Sequence, residues 1–129
     1  MPQENVEIVR RWFEALSAED FDGALALVHP EIELVPPGGQ APYRGADSLR
    51  RWMEPDAFRE QVVHPLESVV AADGTVLTRQ RVTARGTSSG IELDVISWSV
   101  WSFDEDGLIT RVQIYLDHEA DKAREAAGI

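Results

Sequence analysis

Two side chains near the C-terminus have the types and the spacing that acid–base chemistry requires. Tyr115 and Asp117 stand two residues apart, at the end of an apolar stretch that follows the turn signal Asp106-Gly107. Because side chains alternate along a strand, Gln113, Tyr115 and Asp117 would share one face. A carboxylate in such surroundings is costly unless it is solvated, paired or used in chemistry. We therefore take Asp117 as a candidate general acid or base, with Tyr115 as its orienter or as a hydrogen-bond donor.

Asp117 also has a purely structural interpretation. It directly precedes a segment, Glu119 to Ala127, whose composition predicts a short helix that stops at Gly128. An aspartate in this position suits a helix N-cap, where its carboxylate accepts hydrogen bonds from the first backbone N–H groups. The sequence leaves both roles of Asp117 open.

The preceding predicted strand, Ile91 to Phe103, carries polar side chains that could bind a ligand. Ser97, Ser99 and Trp101 share one of its faces. The two hydroxyls could donate to a ligand carbonyl, or they could leave room for other groups or bond to the backbone. Because the other face, with Trp98, is largely apolar too, we expect this strand to be buried on both sides or to meet a partner subunit.

Three arginines alternate along the neighbouring predicted strand, Val76 to Arg85. Arg79, Arg81 and Arg85 could clamp an anionic group, but three such side chains on one face favour a solvated surface or a subunit edge. Gln80 would then point to the other side, where it becomes a candidate polar contact for a ligand.

The residue patterns predict no metal ion and no cofactor. His118 lies beside Asp117 but lacks a second cluster of ligands, and the chain contains no cysteine. Gly38 and Gly39 lie between prolines and do not open a helix, so they make a poor phosphate cradle. His64 could reach a site as an acid–base partner, although a structural role in a strand is the commoner case.

The spacing of apolar residues predicts helices first and strands afterwards. Helical spacing covers Val6 to Leu16, a second short helix ends before Pro30, and a third follows Gly45, with Pro55 just beyond it. From residue 62 onward the pattern alternates and is divided by Asp-Gly hairpin turns. This order predicts one α+β domain over residues 1–129, with helices on one face of an antiparallel sheet.

The charge of the chain disfavours some classes of partner. It has 23 acidic and 12 basic residues, a net charge of −11, which disfavours binding to nucleic acids and to anionic membranes. The first residues, Met1 to Asn5, show no basic region followed by an apolar run, so we predict neither a leader nor a membrane span. We expect a cytoplasmic protein.

In their order along the chain, these features resemble the NTF2-like superfamily and, within it, the SnoaL-like branch. The resemblance covers nearly the whole chain and rests on the helix pair Val6–Val28, Tyr43-Arg44-Gly45 before a short helix, the turns Asp73-Gly74 and Asp106-Gly107, and the ending Tyr115-Leu116-Asp117. It implies a cone, in which a curved antiparallel sheet wraps against helices around one deep pocket. The family includes polyketide cyclases, ketosteroid isomerase, limonene epoxide hydrolase, scytalone dehydratase and binding-only proteins, so the fold alone does not select a reaction.

The resemblance to individual members is partial. Trp12 and Val35 stand where ketosteroid isomerase has its tyrosine donor and its aspartate base, and neither can do that work. Limonene epoxide hydrolase shares the Asp-Gly-x-Ile-Thr and Tyr-x-Asp patterns, but its second aspartate has no counterpart on the arginine-bearing strand here. SnoaL-type cyclases use a pocket aspartate aided by a histidine, and Asp117 would correspond to that aspartate.

The resemblance also implies which side chains face the pocket. Tyr115 and Asp117 would lie on the pocket side, with the pKa of Asp117 raised by apolar walls such as Trp101. Together, the residue patterns and the resemblance predict these ligand-binding residues: Trp12, Tyr43, Gln80, Ser97, Ser99, Trp101 and Gln113.

Two functions are compatible with this sequence. The first is a pocket protein that binds a small apolar or aromatic molecule and performs cofactor-independent cyclisation, isomerisation or hydrolysis on it through Asp117. The second is a non-catalytic carrier, sensor or dimeric interaction module, which the missing second carboxylate and missing histidine favour. We also expect a homodimer, because the strand face that carries Trp98 needs cover.

Overall fold

The computed structural model describes residues 2–53 and 58–129, so Pro55 lies outside the described residues. The elements are α1 (Pro2–Ser17), α2 (Phe21–Leu25), β1 (Val28–Val35), β2 (Tyr43–Arg44), α3 (Ala46–Met53), β3 (Phe58–Val70), β4 (Val76–Gly86), β5 (Glu92–Phe103), β6 (Ile109–Leu116), a 3₁₀ turn (Asp117–Glu119) and α4 (Ala120–Ala127). No helix in these ranges is both long enough and apolar enough to cross a membrane.

The six strands form one curved, unclosed sheet in the order β2-β1-β6-β5-β4-β3. β3 to β6 pair antiparallel with their chain neighbours, and the predicted α+β class is confirmed. β1 departs from the predicted antiparallel arrangement, because it lies parallel to β6. Bulges interrupt the pairing of β3 and the end of β5, and bulges bend the strands that carry them.

The N-terminal helices pack on one face of the sheet, which we call the inner face. α1 presents an apolar stripe at helical spacing, formed by Val9, Trp12, Phe13 and Leu16, all of which are buried. The stripe packs into one core with Trp101 and with residues of β1, β6 and α3. Removal of this apolar surface from water is what holds the helices to the sheet.

The C-terminal helix α4 covers the opposite side of the sheet, which we call the outer face. Ala123 and Ala127 pack there against an apolar cluster that contains Leu77, Trp98 and Val100. α4 ends at Gly128 as predicted, because glycine adopts the left-handed φ of 74° without strain. The helix covers Trp98 within the chain and so removes the reason for expecting a partner subunit there; the homodimer stays a prediction.

The second helix is shorter than predicted. α2 ends at Leu25, and the carbonyl of Leu27 already accepts a hydrogen bond from the backbone N–H of Ile109 at 3.0 Å. The chain therefore begins to pair with β6 before it reaches Pro30. This proline lies inside β1, where the pairing with β6 is interrupted, so the N–H that it lacks is not needed for the sheet.

Candidate functional site

A cavity of about 410 Å³ lies between the inner face of the sheet and the helices α1 and α3. Its volume falls in the range of roughly 300–1,000 Å³ that small-molecule pockets occupy. The lining is mostly aliphatic and aromatic. The residues that line it are Trp12, Phe13, Leu16, Leu34, Pro37, Tyr43, Arg51, Trp52, Phe58, Gln61, Val63, Gln80, Val82, Ala84, Leu93, Val95, Ile96, Ser97, Ser99, Trp101, Val112, Ile114 and Leu116.

A chain of hydrogen bonds joins five inner-face side chains of β4 and β5. The indole Nε1 of Trp101 donates to Thr78 Oγ1 at 3.0 Å, and this hydroxyl donates to Gln80 Oε1 at 2.8 Å. The amide Nε2 of Gln80 then donates to Ser97 Oγ at 3.0 Å and to Ser99 Oγ at 2.8 Å. The strand register brings them together, since Gln80 lies opposite Ser97 and Thr78 opposite Ser99.

The direction of this chain leaves the two serine hydroxyls with a hydrogen to donate. An indole N–H can only donate, so the Thr78 oxygen accepts from it and sends its own hydrogen to Gln80. Each serine oxygen accepts one amide hydrogen of Gln80 and can still donate. Thr78, Gln80 and Ser99 are at most 4% exposed, so water competes little with an acceptor in the cavity. The two serines therefore offer donors to a ligand carbonyl or hydroxyl oxygen.

Aromatic rings form the wall beside these donors. The ring of Trp101 meets Trp12 at a centroid distance of 6.1 Å and Phe13 at 5.5 Å, both edge to face. This geometry stabilises aromatic pairs beyond the area that they bury. Trp12 is thus both a core residue and part of the cavity wall.

The cavity reaches solvent where its lining residues are partly exposed. Val95 is 43%, Leu116 42% and Phe58 36% exposed, so the mouth has apolar edges. Tyr43 of β2 and Arg51 in the last turn of α3 also line the cavity. Such a lining admits apolar molecules and offers them few polar anchors.

The structure places six of the predicted ligand-binding residues around this cavity: Trp12, Tyr43, Gln80, Ser97, Ser99 and Trp101. That they bind a ligand stays a prediction.

The predicted pocket-side placement of Gln113, Tyr115 and Asp117 is wrong. The β6 residues that line the cavity are instead Val112, Ile114 and Leu116. Residues paired across two strands point to the same side of a sheet. Ile114 is paired with Ser99 and points inward, whereas Tyr115 is paired with Trp98 and points outward.

Asp117 is an exposed ion-pair partner on the outer side. Arg79 donates from Nε to Oδ1 at 3.0 Å and from Nη2 to Oδ2 at 3.3 Å. This guanidinium holds the pKa of Asp117 below its ordinary value of 3.8, which is opposite to the expected rise. Asp117 does not cap a helix either, since Leu116 is the N-cap of the 3₁₀ turn and Glu119 is the N-cap of α4.

Tyr115 and Gln113 belong to the outer face as well. Tyr115 packs against the apolar cluster under α4, and this burial raises the pKa of its phenol. Gln113 lies opposite Val100 of that cluster. The geometry therefore gives no support to the catalytic role predicted for Tyr115 with Asp117.

The arginines of β4 also point outward, as the sequence pattern favours. Arg81 donates from Nε to Oδ1 of Asp94 at 2.8 Å, and neither Arg79 nor Arg81 lines the cavity. His64 lies opposite Arg81 on β3, is exposed, and is absent from the cavity lining. No histidine partner for acid–base chemistry is found among the described lining residues.

Sequence reasoning missed some lining residues, although those of β6 had a signal. The alternation of β6 separates an apolar set, which includes Ile114 and Leu116, from the polar set that includes Tyr115. The apolar composition of this set favours a buried face, and the pairing of Ile114 with Ser99 places that face at the cavity. Arg51 and Trp52 had no such signal, because their contact with the cavity depends on how α3 docks.

Among residues 2–53 and 58–129, no group of three or more histidine, aspartate or glutamate side chains is placed to hold a metal ion.

A family model described as a SnoaL-like domain matches residues 9–112. The match runs from the buried stripe of α1 to the cavity-lining part of β6. Among curated proteins, none matches the chain significantly in sequence.

Solved structures with the same fold cover most of the chain. SalBIII, an epoxide hydrolase/cyclase-like enzyme in pyran ring formation in the polyether salinomycin, superposes with a TM-score of 0.82 at 17% identity, covering 90% of this chain and 94% of its own. A SnoaL-like polyketide cyclase from Jannaschia sp. CCS1 gives 0.77 at 19% identity, covering 93% and 90%. A Mycobacterium tuberculosis protein in complex with estradiol-17β-hemisuccinate gives 0.76 at 16% identity, covering 87% and 92%. At these identities the likeness shows the fold alone.

Proposed function

Because this chain belongs to the SnoaL-like domain family, we propose that its cavity binds a small, mostly apolar, ring-containing molecule that carries an oxygen acceptor. Both the catalytic and the carrier function require such a ligand to be recognised inside the cone.

The observation that carries this proposal is the pair of serine donors within an apolar lining. Gln80 occupies one lone pair of Ser97 Oγ and one of Ser99 Oγ, and so leaves their hydrogens for a ligand. A few placed polar groups in an otherwise apolar pocket are typical of small-molecule sites, where they orient the ligand. The rings of Trp12 and Trp101 supply aromatic surface against which a ring system can pack.

A binding function is favoured over acid–base catalysis. The described residues that line the cavity include no carboxylate and no imidazole, the groups that most often move protons near neutral pH. Asp117, the candidate acid or base, is paired with Arg79 on the outer side, and its pKa is lowered. The SnoaL-like polyketide cyclase among the solved structures is 19% identical to this chain, so it supports the fold alone.

The test uses two tryptophan substitutions at neighbouring positions of β4. Val82 lines the cavity, whereas Thr83, the next residue, points to the outer side. Binding of progesterone, a neutral steroid ketone, is measured by isothermal titration calorimetry for wild type, Val82→Trp and Thr83→Trp. Thermal unfolding of all three shows that they are folded.

We expect wild type and Thr83→Trp to bind progesterone and Val82→Trp to lose binding, because the added indole fills the cavity. Equal binding by both variants would show that the steroid lies elsewhere. Absence of binding to wild type, for progesterone and for the ring hydrocarbon phenanthrene alike, would overturn the proposal.

A further inference from the structure

The cavity has a charge that contrasts with the rest of the molecule. The chain carries 23 acidic and 12 basic residues, yet none of the described lining residues is acidic. One lining residue, Arg51, is cationic. The only formal charge that the described lining presents to a ligand is therefore positive.

Arg51 differs from its neighbour Arg50 in its partners. Its Nη2 donates to the hydroxyl of Ser48 at 3.0 Å, one turn earlier in α3, and it makes no ion pair with a described residue. Arg50, its neighbour in the chain, instead binds the carboxylate of Asp22 at 2.6 Å. The bond to Ser48 engages one N–H of Arg51, and most of the fork that binds carboxylates side by side remains available.

The position of Arg51 suits the outer end of a bound ligand. It is exposed, lies in the last turn of α3 and lines the same cavity as the buried Ser99. A basic residue in the last helical turn also complements the helix dipole. Arg50 lies in the same turn and complements the dipole from outside the cavity lining. The helix dipole therefore does not explain why a second cation lies at the mouth of the cavity.

We propose that the ligand is amphipathic, with an apolar ring body in the cavity and a carboxylate at the mouth that binds Arg51. This inference rests on the proposed function and adds the chemical class of the ligand. An oxygen acceptor at one end meets Ser97 and Ser99, and the anion at the other end remains near solvent. The net charge of −11 penalises a phosphate dianion more than a monoanionic carboxylate, which is why we assign the carboxylate.

Two nearly isosteric probes test the inference. Progesterone and 3-oxoandrost-4-ene-17β-carboxylic acid share the ring system and the 3-ketone, and differ in a neutral acetyl group against a carboxylate. Dissociation constants for both are measured by isothermal titration calorimetry for wild type, Arg51→Gln and Arg50→Gln. Arg50→Gln is the matched control, because it removes the same charge from the adjacent residue, which lies outside the cavity lining.

We expect wild type to bind the acid roughly tenfold more tightly than progesterone, the size of one charge-assisted hydrogen bond at a partly exposed site. Arg51→Gln should bring the ratio of the two dissociation constants to about one, whatever its effect on progesterone alone. Arg50→Gln should keep the wild-type ratio, and added salt should weaken the preference of wild type for the acid. Equal binding of the two probes by wild type, or a preference that survives Arg51→Gln, would overturn this inference and leave the proposed function standing. If wild type binds neither probe, both this inference and the steroid-sized ligand on which it rests are overturned.

Discussion

The guanidinium of Arg79 donates hydrogen bonds to both carboxylate oxygens of Asp117 on the outer side of the sheet, at 3.0 and 3.3 Å. The same guanidinium lies 5.8 Å from the ring centroid of Trp98, which α4 covers. Asp117 therefore helps to join β4, β5 and the start of the C-terminal turn. Its position after an apolar strand reflects this ion pair rather than a place in the cavity.

Substitution of Asp117 separates these two roles. We expect Asp117→Asn to bind progesterone with the affinity of wild type, because the carboxylate is not part of the cavity lining. Its melting temperature should fall, since the charge-assisted bonds with Arg79 weaken. Asp121→Asn, at an exposed position of α4, is the control for loss of an aspartate charge. A large loss of progesterone affinity in Asp117→Asn but not in Asp121→Asn would show that Asp117 contributes to ligand binding.

The lowered carboxylate pKa values predict a loss of stability in acid. Arg79 lowers the pKa of Asp117 and Arg81 lowers that of Asp94, each below the ordinary value of 3.8. A carboxylate whose pKa is lower in the folded than in the unfolded state stabilises the fold fully above its unfolded pKa. This contribution is lost as the pH falls below that value and through the folded pKa.

Urea unfolding at pH 7 and at pH 3 measures this dependence. The double variant Asp94→Asn/Asp117→Asn should be less stable than wild type at pH 7 and should lose less stability between the two values. An unchanged difference between pH 7 and pH 3 in the double variant would show that other carboxylates carry the dependence.

If Ser97 and Ser99 donate hydrogen bonds to the ligand, their removal should weaken only ligands that carry an oxygen acceptor. Ser97→Ala/Ser99→Ala should weaken progesterone binding about fivefold to tenfold, because one net hydrogen bond contributes roughly 1 kcal/mol. Phenanthrene has no oxygen to accept such a bond, so its affinity should stay within about twofold of wild type on the same argument. The ratio of the two affinities, measured by fluorescence titration, isolates the hydrogen bond from any general change of the cavity. A parallel loss for both ligands would contradict the role of the serines as donors.

Thr78 tests the buried hydrogen-bond chain itself. Thr78→Val keeps the shape of the side chain but leaves the Trp101 N–H and the Gln80 carbonyl oxygen without their partner. We expect a loss of about 2 kcal/mol in the free energy of unfolding, within the range for a buried polar group left unsatisfied. Thr83→Val on the outer side of the same strand is the control, with an expected change within about 0.5 kcal/mol. Equal urea midpoints for the two variants would show that the buried hydrogen bonds of Thr78 contribute little to stability.

Much of the architecture could be predicted from local patterns. The apolar stripe that includes Val9 and Phe13 predicts a helix packed on one side. Asp73-Gly74 and Asp106-Gly107 predict hairpin turns, which make consecutive strands pair antiparallel. The end of α2 was not predictable in this way. It depends on the pairing of the Leu27 carbonyl with Ile109, which is distant in the chain.

The sequence by itself determined which residues share a face of each strand, because alternation has a period of two. It separated Ser97, Ser99 and Trp101 from Trp98, and Ile114 from Tyr115. Which of these sets faces the cavity was decided only by the tertiary structure. A shift of one residue in the register exchanges the two faces of a strand, and only the pairing of Ser99 with Ile114 shows that the apolar set of β6 joins the serines. The placement of Arg51 at the mouth and of Arg79 on Asp117 was decided in the same way, because these contacts join elements that no local pattern brings together.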